Sequence, residues 1–68
     1  MRKKIIVEGM TCMHCLSHVK NALLELGGEN LEGNLESKTL VGRFDDEVSN
    51  DEIKRVVAEA GYEVITIE

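Results

Sequence analysis

Six short segments, each with its own apolar period, follow one another along 68 residues, and this succession restricts the fold more than any other feature. Lys3 to Glu8 is β-branched and alternating, with Ile5 and Val7 on one face, and it stops at Gly9. From Leu16, the apolar residues Leu16, Val19, Ala22, Leu23 and Leu26 fall at helical spacing, and Gly27-Gly28 supplies the stop. Leu31 to Glu36 and Thr39 to Phe44 read as two strands joined by a tight turn at Ser37-Lys38. Setting Leu35 opposite Leu40 places Gly33 opposite Gly42 and Leu31 opposite Phe44, all on one face. Two facing glycines leave a thin spot, to be filled by a bulky helical side chain or relieved by a bulge at one glycine.

The second helix is announced by its start. Ser49 and Glu52 form a capping box, Val48 and Ile53 have the spacing of a hydrophobic staple, and Asp51 and Glu52 suit the positive end of the helix dipole. Ile53, Val56, Val57 and Ala60 give its buried stripe, Gly61 ends it, and Tyr62 to Ile67 alternates as a last strand. The Asp45 to Glu47 run reads as a solvated loop. The order β-α-β-β-α-β, with short connections and right-handed crossovers, predicts an α+β split βαβ sandwich. Its four-stranded antiparallel sheet carries both helices on one face. A three-stranded sheet with Leu31 to Glu36 frayed is the alternative topology, because that segment is polar and contains a glycine.

Size and charge limit what such a domain does. A chain this short buries roughly 60% of the surface it exposes when unfolded, so it has no room for a deep cavity and any chemistry sits near the surface. Its longest apolar runs, such as Ile5-Ile6-Val7, are far below the ~20 residues that span a bilayer. Met1-Arg2-Lys3-Lys4 imitates the start of a signal peptide, but Glu8 interrupts the apolar stretch, so a cytoplasmic location is expected. A net charge of -5 without a basic cluster disfavours nucleic acid and anionic membranes.

The chemistry-bearing stretch is Gly9-Met10-Thr11-Cys12-Met13-His14-Cys15, between the first strand and the first helix. In a reducing compartment a lone Cys-x-x-Cys reads as a metal or redox site rather than a crosslink. A cysteine binds metal as thiolate, and a helix N-terminus lowers its pKa through unsatisfied N–H groups and the dipole. Two soft thiolates without an obvious third ligand suit Cu(I) better than Zn(II), which wants four ligands. A thioredoxin-type redox pair is the rival, weakened by the short chain and by the absence of any proline. His14 and His18 complete a formal Cys2His2 set, but all four donors crowd into seven residues, unlike the separated pairs of structural zinc motifs. His18, three residues after Cys15, reads as an exposed histidine, with a third ligand, a tuning group or a dimer contact as the sharper alternatives. His14 is expected to face solvent, Met10 to pack under the loop, and Met13 to be exposed.

Gly-Met-Thr-Cys-x-x-Cys, followed by a helix, two strands, a helix and Ala60-Gly61-Tyr62-Glu63-Val64, resembles the heavy-metal-associated domain family, in particular its small bacterial copper chaperones. The resemblance covers essentially the whole chain, residues 1–68, as one domain. It implies a ferredoxin-like fold and a non-enzymatic role: binding Cu(I) through Cys12 and Cys15 and passing it to a like-folded metal-binding domain of a copper-transporting P-type ATPase. Tyr62 matches the tyrosine that lies beside the metal in bacterial members. Thr11 stands where zinc- and cadmium-selective relatives carry an acidic residue, which again favours copper. Gly33 and Gly42 depart from the branched apolar residues usual at those places, which leaves the hairpin packing open. A metal-binding domain excised from an ATPase, a carrier of zinc or mercury, and a dithiol oxidoreductase are the competing readings. A copper-bridged homodimer held by four thiolates is expected at high metal loading.

Overall fold

A computed structural model describes all residues 1–68. The β-branched opening segment forms β1 (Arg2–Glu8), which lies in the middle of the sheet and buries Ile5 and Val7 completely. The other elements are α1 (Met13–Glu25), β2 (Glu29–Asn34), β3 (Thr39–Arg43), α2 (Asn50–Glu59) and β4 (Glu63–Ile67). The sheet order is β2-β3-β1-β4 and every pairing is antiparallel, as the split βαβ expectation requires, with β2 present as a full edge strand.

The core lies between the helices and one face of the sheet. Val19 and Leu23 from α1 and Ile53 and Val57 from α2 meet Ile5, Val7, Leu31, Leu40 and Phe44, and Met10 is fully buried beneath the loop. The capping box forms as read: the Glu52 N–H donates to the Ser49 hydroxyl at 3.1 Å, and the Ser49 N–H donates back to the Glu52 carboxylate at 3.5 Å. At the other end of α2, Gly61 has φ +98°, a left-handed conformation that suits glycine and turns the chain sharply into Tyr62.

Two details of the hairpin differ from the expected register. β3 pairs Asn34 with Thr39, Gly33 with Leu40 and Glu32 with Val41, so the turn is the four residues Leu35 to Lys38, not Ser37-Lys38. Leu35 therefore does not face Leu40, and Gly33 does not face Gly42. The cause is local: the Asn34 side chain accepts the Ser37 N–H at 3.1 Å, closing the turn early, and Lys38 adopts φ +57°. A slip of two residues keeps the same side chains on the core face. A further register shift falls between Glu29 and Glu32. Each glycine has its own occupant. Leu16 of α1 lies over Gly33, as a helical side chain was expected to, while Leu31 of the neighbouring strand fills the space at Gly42.

Candidate metal centre

The strand's last residue, Glu8, hands the chain to Gly9, whose φ of +89° reverses its direction. The Tyr62 ring lies next to this turn, at ordinary contact distance (3.5 Å) from where a Cβ on Gly9 would sit, so it is the left-handed backbone rather than lack of space that suits glycine here. Met10 anchors the loop from below, and Thr11 and Cys12 emerge into solvent.

The helix starts three residues earlier than its apolar stripe. Cys12 is the N-cap of α1, in extended conformation, and its sulfur accepts the Cys15 N–H at 3.3 Å. Met13, His14 and Cys15 form the first turn, so His14 belongs to the helix rather than to the loop. That turn contains no acidic residue, which leaves the positive end of the helix dipole facing the two sulfurs.

Cys12 Sγ lies 2.9 Å from Cys15 Sγ; both cysteines are free thiols, Cys12 exposed and Cys15 half-buried. Cys15 is lowered from its ordinary 9.0 to about 7, first by hydrogen bonding with the Cys12 side chain and next by the Tyr62 hydroxyl, with help from the Thr11 and Cys12 backbone and against the cost of desolvation. Tyr62 moves the other way: its interaction with Cys15, then burial, then the charge on the two sulfurs raise it above its ordinary 10.0. The Tyr62 hydroxyl thus favours the thiolate form of Cys15 while itself holding its proton more firmly.

The structure accordingly gathers Thr11, Cys12, Cys15 and Tyr62 at one corner, with Met10 under it. It leaves His14 and His18 exposed, and no set of three or more His, Cys, Asp or Glu side chains is arranged to hold a metal. Met13 is 66% exposed. The pair offers two soft donors that are open to an approaching ion or protein. With metal–thiolate bonds of about 2.3 Å, the sulfurs must part by roughly 1 Å or more to hold an ion between them at a tetrahedral or wider angle. What the apolar pattern missed is the capping role of Cys12, since thiols are not among the usual N-cap residues.

Residues 4–63 match the heavy-metal-associated domain. The chain belongs to that family. It is 42% identical over 67 residues to the copper chaperone CopZ of Staphylococcus epidermidis, covering 94% of this chain and 98% of that one. It is 36% identical over 67 residues to a probable copper-exporting P-type ATPase of Archaeoglobus fulgidus, covering 96% of this chain and 8% of the ATPase. A mercuric reductase of Lysinibacillus sphaericus is 31% identical over 65 residues, which cover 96% of this chain and 12% of the reductase. The chain thus matches the chaperone over nearly its whole length and the two larger proteins over a small fraction of theirs. Among solved structures, a CopZ metallochaperone superposes with a TM-score of 0.85 at 33% identity, covering 96% of this chain and all of that one. The ferredoxin-like architecture is therefore shared with that family.

Proposed function

We propose that this protein is a cytoplasmic carrier of Cu(I), not an enzyme, that holds the ion between Cys12 and Cys15 and delivers it to a metal-binding domain of a copper-transporting P-type ATPase. The observation that carries this reading is the exposed sulfur pair, 2.9 Å apart at an uncompensated helix N-terminus. A bis-thiolate complex of a monovalent ion carries charge -1, which that helix end stabilises. Two donors leave the ion coordinatively open. A thiolate of the recipient can therefore add to the ion before either sulfur leaves, and a three-coordinate species passes the ion across with no free intermediate.

The likeness to the chaperone over nearly its whole length supports a free carrier, and the likeness to part of an ATPase supports the recipient. No helix is long and apolar enough to cross a membrane, which suits a mobile carrier. Thr11, in place of a carboxylate, adds no hard donor for zinc. Excess ion would join two chains through four thiolates. A second reading, a carrier of Hg(II), is favoured by the mercuric reductase relative, because a two-thiolate site also suits that soft ion.

Anaerobic titration against a chromophoric Cu(I) chelator tests the proposal, together with NMR-monitored transfer to an isolated ATPase metal-binding domain. One ion bound per chain and passed on supports it; preferential retention of Zn(II), or catalytic disulfide reduction without tight Cu(I) binding, would overturn it.

A further inference from the structure

The two cysteines lie between two apolar side chains that hold the backbone down on either side of them. Before Cys12, Met10 is fully buried beneath the loop. After Cys15 comes Leu16, half-buried and packed against the core, whose N–H donates to the Cys12 carbonyl at 3.0 Å. Leu16 seats on β2 at Gly33, and the seat exists only because that residue has no side chain. A Cβ there would lie 2.2 Å from Leu16 Cδ1 and 3.0 Å from both Cδ2 and Cγ. Gly33 is not among the glycines with positive φ, so it is the space and not the backbone that calls for glycine. Farther along α1, Val19 and Leu23 are completely buried and fix the body of the helix. Its first turn is the part that an added methyl at residue 33 would lift.

We infer that Gly33, on a strand that contributes no metal donor, is a positioning residue for the thiol pair: its bare Cα sets how deeply Leu16, and with it the first turn of α1, descends onto the sheet. The inference rests on the proposed metal-holding role of Cys12 and Cys15. A methyl at residue 33 would have to drive Leu16 Cδ1 away by about 1 Å to restore ordinary contact at 3.4 Å. Rotation about χ2 leaves Cγ where it is, and χ1 near +60° would drive the side chain into the helix, so the tip alone does not clear the space. The two cysteines do not follow equally. Cys15 directly precedes Leu16 in the first turn and moves with it, whereas Cys12 is the cap and stays tied to the loop that Met10 anchors. Tyr62, between α2 and β4, also keeps its place. A lifted turn therefore changes two separations at once: Cys12 to Cys15, 2.9 Å between sulfurs, and Cys15 to the Tyr62 hydroxyl. A binding constellation has to be held to within about 0.5 Å, which the lift exceeds. Gly42 supplies the contrast. A Cβ there would lie 2.2 Å from Leu31 Cδ2, an equal crowding, yet Gly42 pairs with Lys3, at the end of β1 far from the cysteine loop.

The test compares the two glycines, by NMR of the reduced metal-free protein and by chelator competition for Cu(I). Gly33→Ala should bind Cu(I) about tenfold or more weakly, as after loss of an outer-shell partner, and should shift the Cys15 β-proton resonances that the Tyr62 ring influences. Gly42→Ala should leave those resonances in place and change the affinity by less than about threefold. Leu16→Val/Gly33→Ala keeps the number of carbon atoms between helix and strand, and it should return both readings to within about threefold of the wild-type affinity and to the wild-type shifts. If Gly33→Ala fails to fold, Leu16→Ala replaces it: this variant adds no volume, frees the same turn, and should weaken Cu(I) binding about tenfold. Equal losses in the two glycine variants, unmoved Cys15 resonances in Gly33→Ala, a double variant as weak as Gly33→Ala, or an unaffected Leu16→Ala would each overturn the inference. A wild-type protein that binds no Cu(I) would overturn the carrier reading instead, since the Cys15 resonances still report where the turn sits.

Discussion

Both helices begin with backbone N–H groups that have no intrahelical acceptor, and they satisfy them with different chemistry. At α2 the answer is permanent: the Ser49 hydroxyl takes the Glu52 N–H, the Glu52 carboxylate returns to Ser49, and Asp51 and Glu52 place fixed negative charge on the dipole. At α1 the acceptor is the Cys12 sulfur, and no carboxylate stands in the first turn. The α2 terminus is electrostatically complete. The α1 terminus is completed only when its sulfurs carry charge, alone or with an ion bound. The same backbone device thus supplies stability at one end of the domain and affinity at the other.

If that division holds, substitutions at the two caps separate cleanly. Replacing Cys12 or Cys15 by serine should lower Cu(I) affinity by well over 100-fold, beyond the 10–100-fold cost of losing an outer-shell partner. Below pH 7, where the Cys15 thiolate contributes little, the thermal midpoint of the apo domain should change little. Ser49→Ala should do the reverse: a loss of about 1 kcal/mol, with Cu(I) affinity unchanged. For a domain of this size that loss lowers the melting temperature by roughly 4–8 °C, measurable by thermal denaturation of the apo form. A metal-affinity change in Ser49→Ala larger than about threefold would break the comparison.

A smaller effect sharpens it through pH. Because Cys15 is depressed from 9.0 to about 7, its thiolate adds stability that is fully present above pH 9, declines through the interval, and is lost as pH falls through about 7. Tyr62 is raised, so its protonated form persists throughout that window and begins to lose its contribution only above its ordinary 10.0. Tyr62→Phe removes the second-largest cause of the depression. The midpoint of Cys15 alkylation by iodoacetamide should therefore move up from about 7 but stop short of 9.0, because the larger contribution from Cys12 remains. An unmoved midpoint would remove Tyr62 from the site's electrostatics.

What was readable in advance follows the same physics. The α2 start could be read because Ser49 and Glu52 are residues whose side chains compete for backbone groups wherever they occur. The α1 start could not, because the apolar stripe begins at Leu16 and a thiol cap has no compositional signature. Strand order followed from the succession of periods and from handedness. The hairpin register did not, since a two-residue slip preserves every side chain's face and only the Asn34 to Ser37 hydrogen bond selects between the options. The sulfur pair was plain in the sequence. The approach of Tyr62 to Cys15 joins residues 47 positions apart, and only the family resemblance pointed to it.

The smallest predicted effect is the most discriminating, because it asks α1 to become like α2. His14 lies in the first turn of α1, exposed and outside any metal-holding set. His14→Glu would install the carboxylate that α2 has and α1 lacks. On the helix alone the change is favourable, by about 0.3–1 kcal/mol of charge–dipole interaction. For the sulfurs it is unfavourable, since a fixed negative charge about 6 Å away costs a thiolate roughly 0.7 kcal/mol in water-like surroundings. The apo domain should therefore melt a few degrees higher while its Cu(I) affinity falls by about threefold, measured by denaturation and chelator competition on the same preparation. Opposite signs in the two measurements mean that the open helix end is reserved for the thiolates. Changes in the same direction would mean that the missing carboxylate at α1 is incidental.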